Sequence, residues 1–140
     1  MGQIFAGILG FSKVGIHHER LPPGHRLSRP HAESAEEEFV YVLRGAVDVW
    51  LDGNLYRLTV GDAVGFPAGE GLAHTLINNS EQEVHLLVVG ETSKPENKII
   101  YPLNPEMRVR RKDWWDDAPA RELGPHDGLP DAESRRLPDT

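Results

Sequence analysis

Between Val14 and Gly90 the chain repeats one pattern, a short apolar run closed by turn residues. VGIHHERL (14–21) stops at Pro22-Pro23-Gly24, FVYVL (39–43) at Arg44-Gly45, and AVDVWL (46–51) at Asp52-Gly53-Asn54. LYRLTV (55–60) stops at Gly61-Asp62, AVGFP (63–67) runs into Gly69-Glu70-Gly71, HTLIN (74–78) stops at Asn79-Ser80, and VHLLVVG (84–90) closes the series. In the third run Val47, Val49 and Leu51 alternate with Asp48 and Trp50, the period-two signature of a half-buried strand. In FVYVL, either Phe39, Tyr41 and Leu43 or Val40 and Val42 face the interior. Asp52-Gly53 between two such runs predicts a tight hairpin, because these residues accept positive φ. No amphipathic window of helix length interrupts the series. Many short strands at even spacing predict an all-β sandwich or barrel.

After Gly90 the pattern changes. Pro95, Pro102, Pro105, Pro119, Pro125, Pro130 and Pro138 punctuate a polar segment in which KIIYPL (98–103) reads as one more edge strand. The expected division is an N-terminal strand or arm over 1–13, a barrel over 14–103, and an irregular tail over 104–140 that packs on the barrel and frays from about Pro125. Trp114 and Trp115 stand out in that tail. Two adjacent residues cannot both face inward on a strand, so they either strap the tail to the barrel or meet a partner subunit.

Composition narrows the classes. A chain of 140 residues suggests one domain with room for a real core. It has no cysteine, which excludes disulfides, thiolate zinc sites and thiol nucleophiles, and fits a reducing compartment; a cytoplasmic location is expected. The N-terminal apolar run has no basic region ahead of it and no span near membrane length, so neither a signal peptide nor a membrane partner is expected. A net charge of −7 repels phosphate backbones, so nucleic acid is not an expected partner.

Candidate chemistry gathers in RPHAESAEEEF (29–39) and at His74. His31 and Glu33 are two apart and share a face on a strand. Glu38 lies an odd number of residues further on, so a loop or bulge must re-aim it. His74 follows a glycine-rich turn. Two imidazoles and carboxylates from separate strands supply nitrogen and oxygen donors suited to Mn, Fe(II), Ni or Zn. Among the other histidines, His17 and His18 are adjacent, so only one faces inward. His25 lies in a loop and His85 on a strand of undetermined parity; surface or structural roles are expected for all four.

These segments resemble the cupins, small double-stranded β-helix (jelly-roll) barrels. The first cupin motif is matched by Gly24, His31-Ala32-Glu33, four residues, Glu38, six residues and Gly45. The second is matched by Gly61, five residues, Pro67-Ala68-Gly69, four residues, His74, three residues and Asn78. The resemblance covers roughly residues 14–90 and implies a divalent transition metal held by His31, Glu38 and His74. Where the family has its second histidine this chain has Glu33. Glu33 is then a fourth ligand, a general acid or base beside a two-His-one-carboxylate set, or a mark of a site without metal.

The resemblance implies a small-molecule substrate in the barrel mouth and a homodimer. The apolar run Ile4, Phe5, Ile8, Leu9 and Phe11 suits strand addition to a partner's edge. Three functions fit: a metal-dependent enzyme of isomerase, lyase or dioxygenase type on a small oxygenated metabolite; a non-catalytic ligand-binding or sensor barrel; or a metal-free acid/base catalyst using Glu33, Glu38 and histidine.

Overall fold

The computed structural model describes residues 3–4 and 10–134. Ten strands follow in chain order: β1 (Gln3–Ile4), β2 (Val14–Leu21), β3 (Ala32–Glu33), β4 (Glu38–Arg44), β5 (Val47–Leu51), β6 (Asn54–Leu58), β7 (Ala63–Phe66), β8 (His74–Ile77), β9 (Val84–Glu91) and β10 (Ile99–Ile100). A 3₁₀ turn (Pro105–Arg110) and a single helical turn (Asp131–Ser134) lie in the C-terminal segment. Each apolar run noted above contains a strand, and the architecture is the expected all-β jelly roll.

The strands form a five-stranded sheet in the order β1-β2-β9-β4-β7 and a three-stranded sheet in the order β6-β5-β8, with β3 and β10 as a short pair between. All pairings between named strands are antiparallel. The inner faces meet in a core of Leu21, Val40, Val42, Val47, Val49, Phe66, Leu76, Val84 and Leu86. Period two therefore resolves β4: Val40 and Val42 point in, while Phe39, Tyr41 and Leu43 stay exposed on the outer face.

The β5–β6 hairpin turns on Asp52 and Gly53, both at positive φ (46° and 92°), as its sequence predicts. A Cβ on Gly53 would collide with the backbone of Gly124, so glycine serves here both the turn and the close passage of the tail.

One expectation needs correction. β5 is not half-buried: Asp48 and Trp50, on its supposed solvent face, are buried as well. The C-terminal segment covers Trp50, while Arg57 and Asn79 hold the Asp48 carboxylate. Trp50 packs with Ala32, Ala73, Ile77 and Trp115 in a second core outside the three-stranded sheet, and its indole N–H donates to the carbonyl of His126 at 3.1 Å. The segment past Pro125 is tied down through Pro130: His126 N–H donates to Gly53 O, and the Arg26 guanidinium donates to Gly128 O. Trp115 straps the tail to the barrel, while half-buried Trp114 lies beside Tyr101, ring centroids 6.4 Å apart.

Gln3–Ile4 pairs with His17–His18 of its own β2. Phe5, Ile8 and Leu9, offered above as a partner-seeking strand, lie outside the described residues. Among the described residues no helix is long and apolar enough to cross a membrane.

Candidate functional site

His74 opens β8. Its position is set by Asp52, whose backbone N–H donates to Ala73 O and whose carboxylate accepts the Ala73 N–H. The same carboxylate accepts from the Arg121 guanidinium, which pins the tail to this corner. His31 meets His74 as an isolated antiparallel bridge, each donating its N–H to the other's carbonyl. The two rings therefore stand side by side, centroids 4.7 Å apart. Glu38 opens β4 between Phe66 of β7 and Gly90 of β9. Its Oε1 lies 3.6 Å from His74 Nε2, while the Phe66 ring stacks on the His74 ring at 3.7 Å.

The hydrogen bonds orient both imidazoles. His31 Nδ1 donates to the carbonyl of Arg29 at 2.9 Å, and His74 Nδ1 to that of Leu72 at 3.3 Å. A carbonyl only accepts, so in each ring Nδ1 carries a proton, and it is the neutral form of such a ring that leaves Nε2 its lone pair. This is the arrangement that presents Nε2 to an ion. Among the described residues, His74 Nε2 is buried and has no hydrogen-bond partner. An acceptor left bare inside a protein is costly unless something else occupies it.

His31, Glu38 and His74 share one cavity of about 320 Å³, whose wall also carries His17, Glu19, Ser28, Thr75 and Glu91. Burial, then the neighbouring His74, hold the His31 imidazole below its ordinary pKa, so it is neutral at physiological pH. Burial pushes the Glu38 carboxyl up, but the close His74 ring, with His31 and His17, more than reverses this and leaves it below the usual range. The cavity thus presents a neutral His31 imidazole and an ionised Glu38 carboxylate, the protonation states a cation requires of them. Among the described residues, no three His, Asp or Glu side chains close around a single point.

Glu33 is placed elsewhere. It lines a separate cavity of about 230 Å³ with Glu36, Lys94, Asn97, Arg111 and Asp113. A shared face for His31 and Glu33 presumes one continuous strand. Instead the chain bridges to His74 at residue 31 and then pairs Glu33 with Ile99 of β10. Burial first, then Glu36 and Glu38, push the Glu33 carboxyl up to about 7. The folded protein therefore binds this proton more tightly than the unfolded chain, whose carboxyl titrates near 4.5. Stability from this group is greatest below that value, falls as pH rises toward 7, and is level above. Glu33→Gln is expected to gain about 1–2 kcal/mol at pH 8, after allowing for water access, and nothing at pH 4. Urea denaturation at the two pH values checks this; equal stability of both proteins at pH 8 would refute it.

The sequence reading passed over His17. The structure turns His17 and Glu19 into the cavity and sends His18 to the other face, where its Nε2 meets His85 Nδ1 at 3.0 Å. The signal was present: Leu21, fully apolar and in the core, has the same parity as His17 on β2. His85 is bonded to His18 and Glu83, and His25 stays in an exposed loop, as expected of structural and surface residues.

Comparison with known proteins agrees with the architecture. The Cupin_2 family, described as cupin domain, matches residues 17–90. A sugar phosphate isomerase from the cupin superfamily of Silicibacter pomeroyi is 31% identical, with a TM-score of 0.68 over 71% of this chain and 63% of that one. A protein from Acidithiobacillus ferrooxidans, provisionally named a sugar phosphate isomerase, is 29% identical, with a TM-score of 0.69 over 73% of this chain and 64% of that one. This chain therefore spans less than two thirds of the length of either. The Cupin_2 domain of an XRE family transcriptional regulator from Enterobacter cloacae shares the fold at 24% identity and a TM-score of 0.55, over 67% of this chain and 97% of that domain. No curated protein sequence matches the chain significantly.

Proposed function

The chain belongs to the cupin domain family, and from that premise we propose that it is a divalent-metal-dependent enzyme that isomerises a small oxygenated metabolite in the cavity of His31, Glu38 and His74. The observation that carries this reading is the buried, unpartnered Nε2 of His74 facing the Glu38 carboxylate. His31, Glu38 and His74 are the residues that would hold the ion, as manganese, iron(II), nickel or zinc. When bound, such an ion supplies a Lewis acid that polarises a substrate carbonyl. The backbone carbonyls of Arg29 and Leu72 keep the two imidazoles in the Nε2-presenting tautomer. Ser28 and Thr75 share the wall: the Thr75 hydroxyl donates to the Ser28 carbonyl and the Ser28 hydroxyl to Thr75 Oγ1, so the pair would meet substrate hydroxyls as acceptors. The separate cavity of Glu33 favours a ligand set without it.

The related proteins named for sugar phosphates support isomerase chemistry, but this cavity argues for an uncharged substrate. Among the described residues its wall carries Glu19, Glu38 and Glu91 and neither lysine nor arginine, Glu91 being paired with Lys94 from outside the wall. A phosphate group there meets the like charge of Glu19 and Glu38 with no guanidinium or ammonium of the described wall to answer it. The test is turnover of paired neutral and phosphorylated hydroxyketones and aldoses by tag-free protein, with and without a chelator. Chelator-sensitive turnover of the neutral members is expected. Ligand binding with no turnover would replace the enzyme by a binding module, and chelator-resistant turnover would replace the metal by acid/base catalysis.

Association of two copies belongs to the same proposal, because Phe39, Tyr41 and Leu43 form an exposed apolar row on the outer face of β4. A monomer by light scattering at high protein concentration would remove it.

A further inference from the structure

We propose that His17 is a further metal ligand of this cavity, supplying from β2 the imidazole that the first motif lacks at Glu33. This rests on the metal reading above and goes beyond it, since the two sequence motifs contain no residue of β2.

Three observations carry it. First, His17 lines the cavity of His31, Glu38 and His74, whereas Glu33 lines another. Second, among the described residues the His17 side chain makes no hydrogen bond or ion pair, while its neighbour His18 is engaged by His85. An imidazole at a cavity wall whose nitrogens no described residue claims is available as a donor. Third, the sheet is cleared between His17 and Glu38. Gly15 pairs with Gly90 and Gly90 with Glu38, so the row that runs from β2 across β9 to Glu38 has no side chain before the carboxylate. The His17 ring leans over that row: its Nε2 lies 3.7 Å from the point where Gly15 would carry a Cβ. Gly15 and Gly90 need no positive φ, so an unusual backbone conformation does not account for them. Val88, the partner of His17 on β9, also lines the cavity, so the open route from the imidazole toward Glu38 runs over the bare Gly15–Gly90 row. Among the described residues no three of these side chains close around one point, so they would have to turn inward; the donor set would then be three imidazoles and one carboxylate, richer in nitrogen than the set with Glu33 and better matched to later first-row ions.

The experiment uses the full chain, freed of any tag and of metal, with Co(II) as the probe. Binding is followed by calorimetry and by visible absorption in the parent, His17→Gln and His18→Gln. Weakening of at least about tenfold with an altered visible spectrum is expected for His17→Gln, and parent-like binding for His18→Gln. Parent-like affinity and spectrum in His17→Gln would overturn the proposal while leaving the His31–Glu38–His74 reading intact. Absence of Co(II) binding by the parent would instead end the metal reading, and this inference with it. A second measurement needs no variant. Proton NMR of the parent loaded with one equivalent of Co(II) should show hyperfine-shifted, non-exchanging ring C–H signals from three imidazoles; signals from only two rings would refute a role for His17 even if His17→Gln failed to fold.

Discussion

Trp50→Ala is expected to cost about 3–5 kcal/mol of folding stability, a large part of what a domain of this size possesses. The indole is fully buried and joins β5 to Ala32, Ala73, Ile77 and Trp115. Its removal leaves a cavity larger than local collapse can fill and strips the His126 carbonyl of its donor. The effect should exceed that of any truncation on the outer face. Tyr56→Ala, on the neighbouring strand and 53% exposed, is expected to stay within about 0.5 kcal/mol of the parent. Urea denaturation of both variants makes the comparison. A loss below about 1 kcal/mol for Trp50→Ala would show that the tail-covered layer is not a second core.

His74→Ala is expected to weaken divalent-ion binding by at least about a hundredfold, near 3 kcal/mol. The substitution removes a donor whose bare nitrogen is already buried and pointed toward Glu38. It also removes the ring stacked on Phe66, so some stability is lost too, and affinity must be measured well below the melting temperature. Calorimetric titration with Zn(II) reads the effect. His85→Ala, which breaks the outer contacts with His18 and Glu83, is the matched control and should bind as the parent does. Equal affinity of His74→Ala and parent would place the ion elsewhere.

The site was legible in part because chemistry and fold share the same signals. His31, Glu38 and His74 could be chosen from their spacing within the two motifs, and the structure brings all three to one cavity. Glu33, expected on the same face as His31, lines another cavity because the strand is not continuous. Two residues apart means one face only while the strand keeps its partner, and here the partner changes from β8 to β10 between residues 31 and 33. That His17 lines the same cavity is not legible in its own run, VGIHHERL, which lacks clear alternation. Its inward parity follows from Leu21, whose burial depends on β9 packing alongside.

By itself the sequence determined the local events. Period-two patterning and turn residues are short-range, so the strands, the Asp52-Gly53 hairpin and the choice of an all-β barrel could be read residue by residue. Tertiary structure alone decided what covers each strand. The outer face of β5 looks solvated until a tail from more than sixty positions later lays Trp115 and His126 across it. That pairing is long-range, and a burial pattern cannot announce a cover that comes from elsewhere in the chain. The same holds for the cavity: which imidazoles line it depends on sheet order and register, properties of strands meeting in space rather than of any one segment.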